Sequence, residues 1–261
     1  MRITAENFDI KQIAKSGQCF RIDETGDGSY RIIAFNRFIN VRQNGNEIDF
    51  SCNEEDWNNI WRSYFDMDTD YCAIGKMIAD SRDEYLIAAY KYGSGIRILR
   101  QELWETIISF MISQNNNIAR IKTIIDRICT MAGIEIADGV YAFPGPNDVD
   151  PKMFMDKSLG LGYRSEYLRD MYSFAQDNPK WVESLYGLSY ENAMEELMKM
   201  YGIGRKVADC ICLFGLHHID AFPIDTHIKK IFARHYHKGF DIKRFPQAAG
   251  IVQQYMFYYD L

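Results

Sequence analysis

The sequence lacks several features that would assign it to a specialised class of protein. None of its apolar runs approaches the roughly 20 residues that a membrane span needs, so no membrane partner is expected. The first twenty residues hold no apolar core and no small-residue cleavage site, and we therefore expect no targeting signal and a cytoplasmic location. Six cysteines occur without a Cys-x-x-Cys pair or a zinc-ligand spacing, which favours reduced thiols.

An overall excess of basic residues is also missing. The 261 residues carry 30 Lys and Arg against 36 Asp and Glu, a formal net charge of −6, which alone argues against a nucleic-acid-binding protein. The charges are unevenly distributed, however. Residues 46–84 hold eleven acids and three bases, whereas residues 199–238 hold seven bases, three acids and all five histidines. A local basic face can bind phosphates on an acidic protein, although unevenly charged solvated surfaces would give the same pattern.

The N-terminal part of the chain predicts an antiparallel meander. With 47% hydrophobic and 25% charged residues, the composition is that of a globular protein with one large or two modest domains. Short runs rich in aromatic and branched residues alternate with Gly- and Asn-containing turns. The predicted strands are Gln18–Asp23, Tyr30–Phe35, Phe38–Gln43 and Glu47–Ser51, followed by helices at 54–64 and 70–91.

The pattern changes near Arg97, after which apolar residues recur with helical spacing. Two apolar stripes begin at Leu103 and at Ile118, and the further predicted helices are Tyr163–Ala175, Tyr190–Met200, Arg205–Leu216, Thr226–His235 and Pro246–Tyr259. The sequence therefore predicts an α+β fold, in which a small N-terminal antiparallel sheet domain over 1–93 is followed by an all-α domain over 94–261.

The most informative segment lies between the helices predicted at 190–200 and 205–216. Gly202-Ile203-Gly204 permits a tight hairpin and exposes backbone N–H groups at the start of the next helix. Together with the helix dipole, these groups form an anion site suited to a DNA phosphate. An ordinary turn between two helices would contain the same glycines.

Two titratable residues follow this hairpin. Lys206 lies in the first turn of the next helix, and Cys210 follows one turn later on the same face. A helix N-terminus disfavours a positive charge, which favours the neutral amine that Schiff-base chemistry requires. Asp225 precedes a later helix, where a carboxylate could stabilise a developing sugar cation and relay protons. The alternatives are a solvated surface lysine and a routine helix N-cap.

Five ordered segments resemble the helix-hairpin-helix, Gly-Pro-Asp superfamily of DNA glycosylases, and within it the 8-oxoguanine DNA glycosylase/lyases. They are Gly17-Gln18-Cys19-Phe20-Arg21, Asn115-Asn116-Asn117-Ile118-Ala119-Arg120, Gly160-Leu161-Gly162-Tyr163-Arg164, Gly202-x-Gly204-x-Lys206-Val-Ala-Asp-Cys210 and Pro223-x-Asp225-x-His227. The final residues, Gln253-x-x-x-Phe257-x-x-Asp260-Leu261, fit the family's ending. The resemblance implies a TBP-like sheet domain followed by a helix-hairpin-helix glycosylase domain.

The resemblance also implies an enzyme that flips 8-oxoguanine paired with cytosine out of duplex DNA and excises it. Lys206 would attack the anomeric carbon and form a Schiff base, β-elimination would nick the strand, and Asp225 would stabilise the sugar cation. A monomer without a required cofactor is expected. Two alternatives remain: a monofunctional glycosylase for alkylated bases, which typically lacks the hairpin lysine, and a non-catalytic helix-hairpin-helix DNA-binding module, which needs neither Lys206 nor Asp225.

Further roles implied by the resemblance concern the lesion, the duplex and a cation. The Gly17 carbonyl would bond the hydrogen on N7 of 8-oxoguanine, Cys210 and Phe257 would sandwich the base, and Gln253 would pair with its edge. The DNA contacts would be Asn115 filling the vacated space, Tyr163 as a wedge, Arg120 and Arg164 on the orphaned cytosine, and Gly202, Gly204 and His227 on phosphates. Backbone carbonyls of Met198, Met200 and Ile203 would hold a structural cation.

The sequence departs from the family pattern at two of these segments. The family's hairpin usually begins Leu-Pro-Gly, whereas this one reads Met200-Tyr201-Gly202, which puts the rigidity of the turn in question. Gln114 replaces a smaller residue before the three asparagines, which leaves the geometry of insertion into the duplex open. The four-cysteine iron–sulfur tail of other branches of the superfamily is also missing.

Overall fold

The N-terminal part of the computed structural model, which describes all 261 residues, contains a five-stranded sheet and one short helix. The strands are β1 (Arg2–Thr4), β2 (Ile22–Glu24), β3 (Tyr30–Ala34), β4 (Arg37–Asn44) and β5 (Glu47–Phe50), in the spatial order β1-β5-β4-β3-β2. Helix α1 spans Ile10–Lys15. The β4–β5 hairpin pairs Asn44 with Glu47 across a two-residue turn, and Gly45 adopts the positive φ of +59° that such turns require.

The predicted meander is confirmed for β3, β4 and β5, but the prediction of a strand over Gln18–Asp23 is wrong for most of its length. The chain becomes a strand only at Ile22, because the residues before it form a buried loop after α1. Strand β1 and helix α1 were not predicted. The pairing of β1 with β5 places Arg2 opposite Asp49, a non-local contact that no short sequence window contains.

The remainder of the chain is mainly helical. The helical elements are α2 (Glu54–Asp56), a π-helical turn (Trp57–Trp61), α3 (Arg62–Tyr64), α4 (Tyr71–Asp80), α5 (Glu84–Gly93), α6 (Leu103–Ser113), α7 (Ile118–Ala132), α8 (Arg164–Asp177), α9 (Trp181–Ser184), α10 (Tyr190–Met198), α11 (Arg205–Phe214), α12 (Thr226–His235) and α13 (Ala249–Tyr259). Short 3-10 turns cover Pro146–Asp148, Pro151–Met155, Lys157–Leu159, Leu185–Gly187 and Ile242–Arg244. None of the helices has the length and apolarity needed to cross a membrane.

Three further differences separate the observed elements from the predicted ones, and two of them have a local cause. The helix predicted over 70–91 is two helices, because Arg82 adopts a positive φ of +56° and Asp83 caps α5 by accepting from the Leu86 N–H. A small hairpin of β6 (Glu135–Ala137) and β7 (Val140–Tyr141) was missed. The last helix begins at Ala249 rather than Pro246, since Gln247 has a φ of +58°.

The chain packs into two compact units, and each unit is built from segments that are not continuous in sequence. The first unit comprises Met1–Ile32, Ile39–Arg100 and His217–Leu261, and the second comprises Ile33–Phe38 and Gln101–Leu216. The last two long helices thus belong to the unit that contains most of the sheet. These packing units do not follow the division at residue 93, which stays a prediction. Fully buried side chains centre the first unit on Trp61, Phe65 and Tyr255, and the second on Phe154 and Tyr172.

Candidate functional site

The predicted site residues are divided between the two units. The first unit carries Gly17, Asp225, His227, Gln253 and Phe257, and the second carries Asn115, Arg120, Tyr163, Arg164, Met198, Met200, Gly202, Ile203, Gly204, Lys206 and Cys210. Within the second unit these residues form two clusters. The hairpin and α11 are continuous in sequence, whereas the loop after α6 and the start of α8 are about 50 residues apart.

The hairpin between α10 and α11 is built around Gly202. This residue has a φ of +88°, and a Cβ there would lie 2.5 Å from the ring of Tyr167, so both conformation and space exclude a side chain. The Ile203 N–H donates to the Met200 carbonyl at 3.1 Å and closes the turn without a proline. Gly204 is the N-cap of α11 and brings no capping side chain, so the N–H groups of the first turn remain available to an anionic ligand.

Lys206 follows this N-terminus and is half-buried. Its Nζ lies 5.4 Å from the centroid of the Phe110 ring, and Phe110 in turn stacks on Phe214 with ring centroids 5.4 Å apart. The aromatic face attracts a charged ammonium, whereas the helix N-terminus disfavours it. Cys210 is buried one turn further along α11. The structure therefore places an amine at the edge of an apolar surface, directly after the hairpin whose N–H groups are available to an anion.

A buried carboxylate that sequence analysis missed lies one turn after Lys206 on the same helix. Asp209 is only 4% exposed and accepts a hydrogen bond from the Tyr190 hydroxyl. Burial raises the pKa of Asp209, although the hydrogen bond from Tyr190 and the charges of Arg205 and Lys206 act in the opposite direction. The only available signal was an acidic residue on an otherwise apolar helix face.

The loop after α6 brings Asn115 and Tyr163 together. Asn115 adopts a φ of +48°, a left-handed conformation that asparagine tolerates better than most residues. Its Nδ2 donates to the Tyr163 hydroxyl at 3.2 Å, and that hydroxyl donates to the Gln114 carbonyl at 3.3 Å. The Tyr163 side chain is 49% exposed, so a large aromatic face is available to a ligand.

The two arginines predicted to read cytosine have different surroundings. Arg164 is 3% exposed, and its guanidinium donates to the carbonyls of Gln114 at 2.9 Å, Asn115 at 3.0 Å and Leu161 at 3.1 Å. Arg120 is exposed and donates to the Gly160 carbonyl at 3.0 Å. To bind cytosine, Arg164 would have to give up hydrogen bonds to backbone carbonyls, whereas Arg120 is already accessible to a ligand.

In the first unit, Gly17 lies in a loop that is fixed on both sides by buried polar groups. It has a φ of +75°, and its neighbours Ser16 and Gln18 are fully buried. The Gln18 amide donates to the Arg97 carbonyl at 2.9 Å and accepts from the Leu99 N–H at 2.8 Å. Because these bonds fix the flanking peptides, the backbone at Gly17 is held in one position. Sequence analysis quoted Gln18 within a motif but assigned it no role.

Asp225 caps helix α12. Its Oδ1 accepts from the Ile228 N–H at 2.9 Å, and the side chain is half-buried. The structure therefore supports the N-cap interpretation, which a catalytic role does not exclude. Two residues later, the ring of His227 lies edge-on to Phe257 with centroids 5.5 Å apart, and its Nδ1 is 4.0 Å from Asp260.

Gln253 carries an unsatisfied acceptor. The residue is 4% exposed, and its Nε2 donates to the Pro223 carbonyl at 3.2 Å, but its Oε1 is buried without a hydrogen-bond partner. A buried acceptor left unpaired costs about 1–3 kcal/mol, and such groups are rare in folded proteins. This oxygen is therefore suited to accept a hydrogen bond from a bound ligand.

The hairpin also offers oxygen ligands for the predicted cation. The last carbonyls of a helix lack donors within it, and Met198 is the last residue of α10. Met200 lies just beyond it, and its carbonyl, which accepts from the Ile203 N–H, has a second lone pair. No cluster of His, Cys, Asp or Glu side chains suited to a metal ion occurs in the structure, so a cation here would rely on backbone oxygens, which hard cations accept. The residues fit a cation, and its presence stays a prediction.

Comparison with known proteins gives a consistent assignment. Residues 1–107 match the family model described as 8-oxoguanine DNA glycosylase, N-terminal domain. The N-glycosylase/DNA lyase of Saccharomyces cerevisiae is 37% identical over 158 residues, covering 54% of this chain and 42% of that protein. The N-glycosylase/DNA lyase OGG1 of Arabidopsis thaliana is 34% identical over 148 residues, covering 52% and 40%. The chain thus spans less than half the length of these curated relatives.

Similarity to a solved structure extends over almost the whole chain. The crystal structure of Clostridium acetobutylicum 8-oxoguanine glycosylase/lyase, in complex with double-stranded DNA containing cytosine opposite 8-oxoguanine, is 36% identical with a TM-score of 0.90. The match covers 98% of this chain and 92% of that one. Both the sheet and the helical elements are therefore shared, and the chain belongs to the helix-hairpin-helix family of 8-oxoguanine DNA glycosylase/lyases.

Proposed function

We propose that this protein excises 8-oxoguanine paired with cytosine from duplex DNA and then nicks the strand through a Schiff base on Lys206. The observation that carries the proposal is the position of Lys206 in the first turn of α11, directly behind a hairpin whose N–H groups can hold a DNA phosphate. The similarity to the Clostridium acetobutylicum enzyme over nearly its full length supports the same reaction.

The covalent steps use one amine throughout. The neutral Nζ of Lys206 attacks C1′ of the flipped nucleotide, and the glycosidic bond breaks with its electron pair leaving on the base, which takes up a proton. The nitrogen, which is positively charged after the attack, loses a proton. Its lone pair then expels O4′ from C1′, O4′ takes up a proton, and a protonated Schiff base results. Loss of a C2′ proton expels the 3′ phosphate, which is the β-elimination that nicks the strand.

Asp225 supplies the negative charge and the proton transfers that these steps need. One carboxylate oxygen is held by the Ile228 N–H, which orients the other oxygen. The sugar becomes cationic as the base departs, and a fixed carboxylate stabilises that charge without reorganisation. The same group accepts and returns the protons of ring opening and elimination.

The proposed lesion-recognition residues are Gly17, Gln253, Phe257 and Cys210. The Gly17 carbonyl accepts from the N7 hydrogen, which 8-oxoguanine has and guanine lacks. The unpaired Oε1 of Gln253 accepts from the N–H groups on the pairing edge of the base. Phe257 stacks on one face of the base and Cys210 contacts the other.

A second set of residues is proposed to hold the duplex. Asn115 fills the space left by the flipped base, and Tyr163 wedges beside it, since its exposed ring can replace lost stacking. Arg120 and Arg164 donate to the exposed acceptors of cytosine. Phosphates bind the N–H groups around Gly202 and Gly204 and the His227 ring, and a cation on the carbonyls of Met198, Met200 and Ile203 would add positive charge to the hairpin.

Borohydride trapping on a duplex with one 8-oxoguanine opposite cytosine tests the proposal. Wild-type protein should give a covalent adduct and a nicked strand, and Lys206→Gln should give neither. Lys199→Gln is the matched control, because Lys199 is an exposed lysine at the end of α10 that pairs with Glu196. Base release without an adduct would assign the nucleophile elsewhere, and binding without base release would replace the enzyme with a DNA-binding module.

A further inference from the structure

Gln114 occupies a junction between two parts of the second unit. It is the C-cap residue of α6, where the chain turns to an extended conformation with ψ 125°. Its Nε2 donates to the Met111 carbonyl at 3.1 Å and to the Gly202 carbonyl at 2.9 Å. One side-chain amide therefore closes the C-terminus of α6 and reaches the phosphate-binding hairpin, 88 residues later in the chain.

The hydrogen bond to Gly202 fixes a specific peptide plane. The Gly202 carbonyl belongs to the peptide whose N–H is that of Ile203, and this N–H donates to the Met200 carbonyl at 3.1 Å. The peptide is thus held at both ends, at its oxygen by Gln114 and at its nitrogen by the turn itself. The hairpin is kept in one orientation although Tyr201 occupies the position where the family pattern has proline.

The main-chain carbonyl of Gln114 contacts the side chains of Tyr163 and Arg164 at the start of α8. Its carbonyl accepts from Arg164 Nε at 2.9 Å, from Arg164 Nη2, and from the Tyr163 hydroxyl at 3.3 Å. Arg164 also donates to the Asn115 carbonyl at 3.0 Å. The main-chain carbonyl of Gln114 therefore bonds to Tyr163 and Arg164, and Arg164 bonds in turn to Asn115. The side-chain amide of Gln114 bonds to the hairpin.

We infer that Gln114 is a positioning residue that couples recognition of the opposite cytosine to alignment of the hairpin that precedes Lys206, an inference that rests on the proposed function. When Arg164 leaves the Gln114 carbonyl to bind cytosine, Gln114 can shift, and its amide transmits that shift to the hairpin through the Gly202 carbonyl. Removing the amide uncouples the two events. The excision rate opposite cytosine should then fall, whereas the rate opposite adenine, which does not benefit from the coupling, should stay the same.

Single-turnover excision with each of the four bases opposite the lesion tests this inference. Gln114→Met keeps the length of the side chain and removes both donors. The rate opposite cytosine should fall by about three- to tenfold, the size of one neutral hydrogen bond, while the rate opposite adenine should change less than about twofold. The matched control is Ser113→Ala, which removes a capping bond to the Phe110 carbonyl at the same helix end without contacting the hairpin.

A binding measurement separates this inference from the proposed function. The affinity for a duplex with a stable abasic analogue should lose its preference for opposite cytosine over adenine in Gln114→Met, and this readout requires no catalysis. An equal loss of rate or affinity with all four opposite bases would reduce Gln114 to a structural support and overturn the coupling. If Gln114→Met does not fold, Gln114→Ser gives the same comparison. Failure of the wild-type protein to excise any lesion would count against the proposed function alone.

Discussion

The Nε2 of Gln254 donates a 2.6 Å hydrogen bond to the carbonyl of Ser16, which lies 238 residues earlier in the chain. Both residues are buried, and Ser16 also receives a hydrogen bond from Gln18 at its hydroxyl. Helix α13 therefore holds the loop that contains Gly17. The proposed recognition of the lesion by the Gly17 carbonyl depends on where that backbone lies, so the proposal implies that this remote amide affects selectivity for the damaged base.

Gln254→Leu should weaken discrimination between 8-oxoguanine and guanine. The substitution leaves the buried Ser16 carbonyl without this donor, at a cost of about 1–3 kcal/mol in the free energy of unfolding, and frees the Gly17 backbone to shift. Undamaged duplex should then compete more effectively in a single-turnover excision assay. The control is Ile74→Val, a core change in α4 that costs about 0.5–1.5 kcal/mol. Equal competition in wild type and Gln254→Leu would show that Gln254 has only a structural role.

Asp225→Asn should abolish most of the activity while leaving helix α12 intact. Asparagine is as good an N-cap as aspartate, so the hydrogen bond to the Ile228 N–H can be kept. The negative charge and the proton acceptor are lost, which for general acid–base catalysis means a rate lower by about a hundredfold or more. Excision rates and thermal melting curves measured together check this. A large drop in melting temperature would indicate that the cap, rather than the chemistry, explains the lost activity.

Those parts of the site whose residues are close in sequence could be predicted from the sequence. Helix α12 was predicted at its observed bounds, because Asp225 is a local cap and the apolar spacing after it is regular. The hairpin and the place of Lys206 in the first turn of α11 were also predicted, because both depend on residues close in sequence. The partners of Arg164, in contrast, lie up to 50 residues away, and nothing in a local pattern indicates that this arginine is buried against backbone carbonyls.

Residues that act by holding other residues were the hardest to predict. Gln114 was noted only as a departure from a family pattern, and Gln254 was not noted at all. Their amides bond to backbone carbonyls of segments that are distant in the chain, and a backbone carbonyl has no sequence signature. Strand β1 was missed for a related reason, since three residues form a strand here only because β5 pairs with them.

Asp66 provides a test of stability against pH in the first unit. It is fully buried and accepts from Tyr71, Thr69, Arg100 and His217 at 2.9–3.1 Å. Burial acts to raise the pKa of Asp66, but the hydrogen bond and charge of His217 and the two hydroxyl donors outweigh it, so this pKa is lowered. A lowered pKa contributes stability above the unfolded value of about 3.9, and that stability is lost as the pH falls through the folded value.

Asp66→Asn should therefore destabilise the protein at pH 7 by about 1–3 kcal/mol, because the amide puts N–H groups where one buried carboxylate oxygen accepts hydrogen bonds. The Arg100 side chain is 42% exposed, so the loss of its ion pair adds little. The difference in the free energy of unfolding from wild type should shrink as the pH falls below about 4, where the carboxylate of the unfolded chain begins to be protonated while that of the folded protein is still charged. Urea unfolding at a series of pH values measures both quantities. A pH-independent difference would mean that the charge on Asp66 contributes nothing and that its hydrogen bonds account for the effect.

Arg120→Ala should relax the preference for cytosine opposite the lesion. Arg120 is exposed on the first turn of α7 and donates to the Gly160 carbonyl at 3.0 Å; a guanidinium has five N–H donors, so it can also donate to the exposed acceptors of cytosine. Losing one such charged contact should lower the excision rate opposite cytosine by about tenfold and leave the rates opposite the other bases nearly unchanged.

The same helix offers a matched control for this substitution. Arg127 lies two turns further along α7, is also exposed, and donates to the Ser158 carbonyl at 3.0 Å, just as Arg120 donates to Gly160. Arg127→Ala removes the same charge and the same kind of hydrogen bond from the same helix, so any effect of net charge or of loop anchoring on DNA binding should appear in both variants. Only Arg120→Ala should alter the ratio of rates across the four opposite bases. If both variants lower all four rates alike, the arginines act through the general attraction of DNA, and Arg164 would have to read the cytosine alone.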